Sequence, residues 1–236
     1  MKKLMQLFRA NAQTAPRTPI SAQVEGGDAT LYVYDIIDAD WGISAAEVSR
    51  AIAGLDAGAT LHLRINSPGG DVFEARAIAS ALRGFGGKVV AHIDGLAASA
   101  ATTIAVAADE VEIADGSFFM IHNAWTFAMG DKSAMTETAA LLDKIDGAIC
   151  ADYCKRTSKA EADVVAWMNA ETWFTAQEAV DNGFADRLAP EAKTRNATRK
   201  WNLSAYDNAP EQPAPEPDYA AQRDRNARRL RLLRID

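Results

Sequence analysis

Ser99 stands in Gly95-Leu-Ala-Ala-Ser-Ala-Ala101, directly after the apolar run Val89 to Ile93 and ahead of a small-residue stretch that ends near Ala108. A hydroxyl at a strand-to-helix junction, flanked by residues with almost no side chain, is open to a bulky substrate, as a hydrolase nucleophile must be. Serine attacks poorly at neutral pH unless a neighbouring base takes its proton. Of the 3 histidines, His62 and His92 lie inside expected core strands and read as structural. His122 follows Phe118-Phe-Met-Ile121, at the end of an apolar run where a side chain can emerge at the sheet edge, and is the candidate base. Asn66-Ser-Pro-Gly-Gly70 adds a glycine turn whose backbone N–H groups can face a developing oxyanion. Each piece alone also has an ordinary reading: a helix-start serine is commonly a cap, and a Gly-Gly turn often only relieves strain at positive φ.

The elements that must hold these residues alternate. Leu31 to Ile37 reads as a strand, Ser44 opens a helix through Ala53, and Thr60 to Asn66 is a second strand ending in the glycine turn. A helix from Val72 to Arg83, a strand from Lys88 to Ile93, a helix after Ser99 and a short strand from Val111 to Ile113 continue the series. Such an alternation predicts an α/β fold of parallel strands with crossover helices. Both the glycine turn and Ser99 then fall at carboxyl ends of strands, where crevices form.

Met135, Ala139, Leu142, Ile145, Ile149 and Tyr153 follow helical spacing and predict a long amphipathic helix from Lys132 to about Lys155, long enough to project from the body. Cys150 and Cys154 share a face of it and are expected as reduced thiols. A further helix covers Lys159 to Met168. Thr175-Ala-Gln-Glu178 matches a capping box for a helix to about Asn182, closed by Gly183.

With 236 residues, 48% of them hydrophobic, one catalytic domain and a tail is the expected organisation. The boundaries read as an N-terminal arm over 1–27, the domain over 28–189, a proline-rich linker over 190–218 and a basic helical tail over 219–236. That last segment carries six arginines against two aspartates, although the whole chain has a formal net charge of -7 that argues against a general nucleic-acid surface. The start, Met1-Lys-Lys-Leu-Met-Gln-Leu-Phe8, is too short in apolar residues for a secretory signal core, and no run reaches the roughly 20 needed to span a bilayer. A cytoplasmic protein without a membrane partner is expected.

Ile65-Asn-Ser-Pro-Gly-Gly70, Gly95-Leu-Ala-Ala-Ser-Ala100, Met120-Ile-His122 and Phe174-Thr-Ala-Gln-Glu-Ala-Val180 with Gly183, four ordered blocks between about 30 and 188, resemble the ClpP family of serine peptidases. The resemblance implies a ClpP/crotonase-like spiral fold with a projecting helix, Ser99 as nucleophile, His122 as general base, and the N–H groups of Gly70 and Ala100 as the oxyanion hole. It also implies a polypeptide substrate, homo-oligomeric rings stacked as heptamers, and no metal or nucleotide cofactor in the peptidase itself. Where the family carries an aspartate, counting back from Trp173-Phe-Thr-Ala176 reaches Glu171, with Asp163 and Asp186 as fallback acids. Gly69 and Trp125 are expected along the substrate strand, Trp125 and Phe127 having simple packing as the alternative.

Glu171-Thr-Trp-Phe-Thr-Ala176 and Asn123-Ala-Trp125 are most similar to the ClpP-like head maturation proteases of tailed phages and prophages. That similarity implies processing of capsid or scaffold proteins within the host cytoplasm or the assembling prohead, with the basic tail as a capsid contact. Two rival readings share the domain: a crotonase-type acyl-CoA enzyme, which does not need the Ser99 and His122 pair, and a catalytically inactive oligomeric capsid-assembly protein.

Overall fold

Period-two burial shapes the central strands: Leu61, Leu63 and Ile65 are buried while His62 and Arg64 between them are only partly covered. The structure, a computed structural model, describes Asn11, residues 20–190 and residues 201–210. Its elements run β1 (Gln23–Glu25), β2 (Asp28–Val33), α1 (Ala45–Ala53), β3 (Thr60–Ser67), α2 (Val72–Arg83), β4 (Lys88–Ala98), α3 (Ala100–Ala105), β5 (Glu110–Ile113) and β6 (Phe118–Ile121). They continue with α4 (Lys132–Thr157), α5 (Glu161–Asn169), β7 (Thr172–Thr175), α6 (Ala176–Asp181) and β8 (Arg187–Leu188).

The sheet order is β1-β2-β3-β4-β5-β8, parallel from β2 to β8, with β1 antiparallel at one edge. On the side away from β3, β4 has two partners. Its first half pairs with β5 through Val90 to Ile93, and its second half pairs with β6 through Leu96 to Ala98. Between these halves the register with β3 slips, Ile65 facing Ile93 but Ser67 facing Ala97, so extra β4 residues bulge at Asp94 to Leu96 and redirect the strand. β6 carries β7 antiparallel on its far side. This mixed sheet with its helices is the expected ClpP/crotonase-like α/β fold.

Several expectations shift. β4 continues to Ala98 rather than ending at Ile93, since Gly95-Leu-Ala-Ala98 pairs with β6. β2 lies over 28–33, not 31–37. Ile37, buried beyond it, pairs instead with the glycine turn, its N–H donating to Gly69 O at 3.0 Å and its carbonyl accepting from Asp71 N at 2.7 Å. Residues 23–25, assigned to the arm, join the sheet edge as β1.

Capping was legible. Ser44 with Glu47 and Thr175 with Glu178 each form a complete capping box, and a cap of this kind contributes about 1 kcal/mol. Asp71 caps α2 by accepting from Phe73 N and Glu74 N. In α4 the buried residues are Ile149, Cys150, Tyr153 and Thr157, all in its second half, and its first two turns stand off the body as expected of a projecting helix. Cys150 and Cys154 are free thiols with sulfurs 3.9 Å apart.

His62 and His92 sit in β3 and β4, but on the face turned away from the core. Their rings meet at 3.0 Å, Nδ1 to Nε2, and His92 Nδ1 lies 3.0 Å from Glu112 of β5. Cross-strand pairing on an open sheet face, not core packing, explains them.

Residues 201–209, assigned to an extended linker, pack on the body. Trp201 and Tyr206 are buried with Leu96, Ala98 and Met120 in a second apolar cluster. The aromatic and aliphatic side chains of Trp-Asn-Leu-Ser-Ala-Tyr206 supply the apolar surface that is buried there. The basic tail and most of that proline-rich stretch lie outside the described residues, as does most of the arm.

Candidate active site

The second half of β4 brings Ser99 beside β6. After the pairs Leu96–Phe118, Ala97–Phe119 and Ala98–Met120, the Ser99 N–H donates to Met120 O at 2.9 Å. His122 follows the last residue of β6, so the same register places its ring next to the serine. His122 Nε2 lies 2.7 Å from Ser99 Oγ.

Ser99 adopts φ 54 and ψ -127, a conformation that side chains rarely take and that turns β4 sharply into α3. Although Ser99 occupies the N-cap position, its side chain makes no capping bond. The hydroxyl stands against His122 Nε2 instead, which removes the ordinary reading of a capping serine. Burial pushes His122 down to about 4, the nearby Glu171 carboxylate opposing that shift. At neutral pH the imidazole is therefore uncharged and able to accept the hydroxyl proton.

Gly69 and Gly70 are glycines of necessity. Their φ values are 91 and 152, and a Cβ on Gly69 would lie 2.8 Å from Ser99 Cβ and 2.6 Å from Ala98 O. A Cβ on Gly70 would strike Ile37 O at 2.1 Å. The turn thus packs backbone against the serine elbow. Ala100 begins α3, where the N–H has no partner one turn earlier within the helix.

A cavity of about 300 Å³ opens at this point, touching Gly70, Ser99, Ala100 and His122. Its apolar wall comes from Val72 and Phe73, from Trp125, and from Leu141, Leu142, Ile145 and Ile149 of α4. Trp125 and Phe127 are exposed at 38% and 51%, so neither is a core residue. The loop that carries them is tied to α4 by Ala124 N donating to Asp146 Oδ1 at 2.6 Å. Helical periodicity marked α4 as an amphipathic handle; that its apolar stripe also lines the cavity was not visible in the pattern.

Glu171, at φ 47, joins Ser99 and Ser158 as a non-glycine residue with positive φ among the described residues. Its Oε1 accepts from Asn208 N at 2.7 Å and from Trp173 Nε1 at 3.3 Å, and its Oε2 accepts from Asp207 N at 3.1 Å. It acts on His122 by charge; among the described residues its hydrogen bonds go elsewhere. Asp186 is committed to Arg156 at 2.6 Å and to Val111 N at 2.7 Å, and Asp163 sits in the first turn of α5. Of the three acids, Glu171 alone acts on the imidazole by its charge.

Among the described residues no group of three or more His, Cys, Asp or Glu is placed to hold a metal ion, and no helix is long and apolar enough to cross a membrane.

Against known proteins, the chain is 27% identical over 165 residues to the ATP-dependent Clp protease proteolytic subunit 1 of Protochlamydia amoebophila, a match covering 67% of this chain and 79% of that one. It is 31% identical over 141 residues to the ATP-dependent Clp protease proteolytic subunit of Bacteroides thetaiotaomicron, covering 57% of this chain and 62% of the relative. A solved ClpP1 variant from Listeria monocytogenes has the same fold, with a TM-score of 0.61 at 21% identity over 68% of this chain and 90% of that one. Residues 42–192, which carry the glycine turn, the serine elbow, His122 and Glu171, match the Clp protease family, and the chain belongs to it.

Proposed function

We propose that this chain is a serine endopeptidase whose nucleophile is Ser99 and whose general base is His122. The observation that carries this reading is the 2.7 Å contact between Ser99 Oγ and His122 Nε2, with a hydroxyl that caps nothing and an imidazole held neutral. Ser99 Oγ attacks the scissile carbonyl carbon while its proton passes to His122 Nε2. The carbonyl oxygen takes the negative charge and is met by the N–H groups of Gly70 and Ala100. His122 then gives the proton to the departing amine, and a water, deprotonated by the same nitrogen, releases the acyl group. Glu171 favours the transient imidazolium through its charge. Gly69, Gly70 and Trp125 flank the peptide, and the α4 wall receives an apolar side chain.

Labelling the purified protein with a fluorophosphonate and mapping the modified peptide tests this. The expected result is modification at Ser99 that is lost in Ser99→Ala and His122→Ala; absence of labelling in the wild-type protein overturns it. An acyl-CoA enzyme is disfavoured by the serine–histidine contact, which that chemistry does not use.

The finer reading is a homo-oligomeric ring in the cytoplasm or the assembling prohead, cleaving capsid or scaffold proteins during phage head maturation. Support comes from the Glu171 to Ala176 and Asn123 to Trp125 blocks and from the arginine-rich residues 219–236. Co-expression with the capsid and scaffold proteins of the same genome is expected to yield processed products that Ser99→Ala does not form. Unchanged incorporation into capsids after removal of residues 211–236 defeats the role of the tail.

A further inference from the structure

Beyond the stretch that matches the family, residues 201–209 return to the serine–histidine pair. The Trp201 indole N–H donates to Asn66 Oδ1 at 3.0 Å, one end of the glycine-turn motif. Asn202 exchanges two hydrogen bonds with the buried amide of Asn11, at 2.9 and 2.7 Å. Five residues after Trp201, the Tyr206 ring stands edge-on to His122, centroids 5.4 Å apart, and edge-on to Trp173 at 5.7 Å. Its hydroxyl donates to the carbonyl of Pro68, next to Gly69. The following two N–H groups hold the Glu171 carboxylate, and the Asn208 side chain donates to Ala170 O at 2.8 Å.

One short segment therefore touches the base, the acid and the turn before the oxyanion donors. The cavity beside Ser99 remains open, with Tyr206 as part of its wall rather than its filling. We infer that residues 201–209 are a positioning strap for the catalytic machinery: Tyr206 fixes the ring plane of His122, and the Asp207 and Asn208 N–H groups hold Glu171 in range of it. This rests on the Ser99–His122 peptidase reading above. An edge-on ring restrains an imidazole through shape and quadrupole without competing for its nitrogens. Covering the imidazole also keeps water from it, so loss of the ring relieves the burial that holds His122 low.

The test is the rate of fluorophosphonate labelling at Ser99 between pH 4 and 8 in the full chain, for the wild type, Tyr206→Ala and Tyr206→Leu. Leucine keeps an apolar side chain in the second cluster but is too short to cover the imidazole, and it serves where alanine does not fold. The expected result is labelling slowed about 10- to 100-fold, with the acid limb moved up by about one pH unit or more as the imidazole regains water. A merely structural strap lowers melting temperature without moving that limb, and an unmoved limb in folded Tyr206→Leu overturns the inference. Faster labelling of either variant also overturns it, showing the segment to be a cover. A wild-type protein that does not label at all sinks the peptidase reading and the strap with it.

Discussion

The backbone N–H of Ser99 donates to the carbonyl of Met120 at 2.9 Å, one residue beyond the last β4–β6 pair. Since His122 is two residues past Met120, this single bond sets how far the imidazole stands from the hydroxyl. The bulge at Asp94 to Leu96 lets β4 leave β5 for β6, and so brings Ser99 alongside the strand that leads to His122.

The elbow stores strain. Ser99→Gly and Ser99→Ala both lack the nucleophile and are expected to lose labelling and turnover. At φ 54 glycine is at ease where alanine is not, so Ser99→Gly is expected to be more stable than Ser99→Ala by about 1 kcal/mol. Denaturant midpoints compared at equal m-values measure the difference.

His122 links activity and stability to pH. Its folded value, about 4, lies below its ordinary 6.5, so the unfolded chain binds the proton more readily. The stability is complete above 6.5 and falls as pH drops towards 4, by up to about 3 kcal/mol. His122→Gln is expected to flatten that part of the pH–stability curve. In the wild type, the acid limb of Ser99 labelling is expected near pH 4 rather than 6.5.

Gly69 has no room for a methyl group, since its Cβ would contact both Ala98 O and Ser99 Cβ below 3.0 Å. Gly69→Ala is expected to lose about 2 kcal/mol or more and most of its labelling. By contrast Gly58, whose added Cβ meets nothing within 4 Å, tolerates alanine with labelling unchanged.

Two acids separate by role. Glu171→Ala is expected to slow labelling about 10-fold or more, because the imidazolium formed at His122 loses its nearby negative charge. Asp186→Asn breaks the contact with Arg156 and weakens acceptance from Val111 N; it is expected to cost about 1 kcal/mol of stability and leave the labelling rate unchanged.

Much of this was legible in local pattern. The span Val72 to Arg83, the long helix from Lys132, the helix start at Ser44 and the Thr175–Glu178 capping box follow from spacing and from side chains that reach only three or four residues along the chain. Ser99 and His122 stood out because small residues before one and an apolar run before the other are features of their immediate neighbours. The same apolar runs could not say which face of β3 and β4 carries His62 and His92, since strand burial depends on what covers each side of the sheet.

The chain's own residue order is enough to name the α/β class and to single out Ser99, His122 and the glycine turn as candidates, for those signals are short-range and chemical. Packing over long separations set the rest: the β4 bulge, the α4 stripe as a cavity wall, and the engagement of Glu171. Tyr206 shows the reason most plainly. It lies 138 residues from the Pro68 carbonyl it bonds, and no local periodicity encodes a contact that exists only once β3, β4 and β6 have assembled a surface for it.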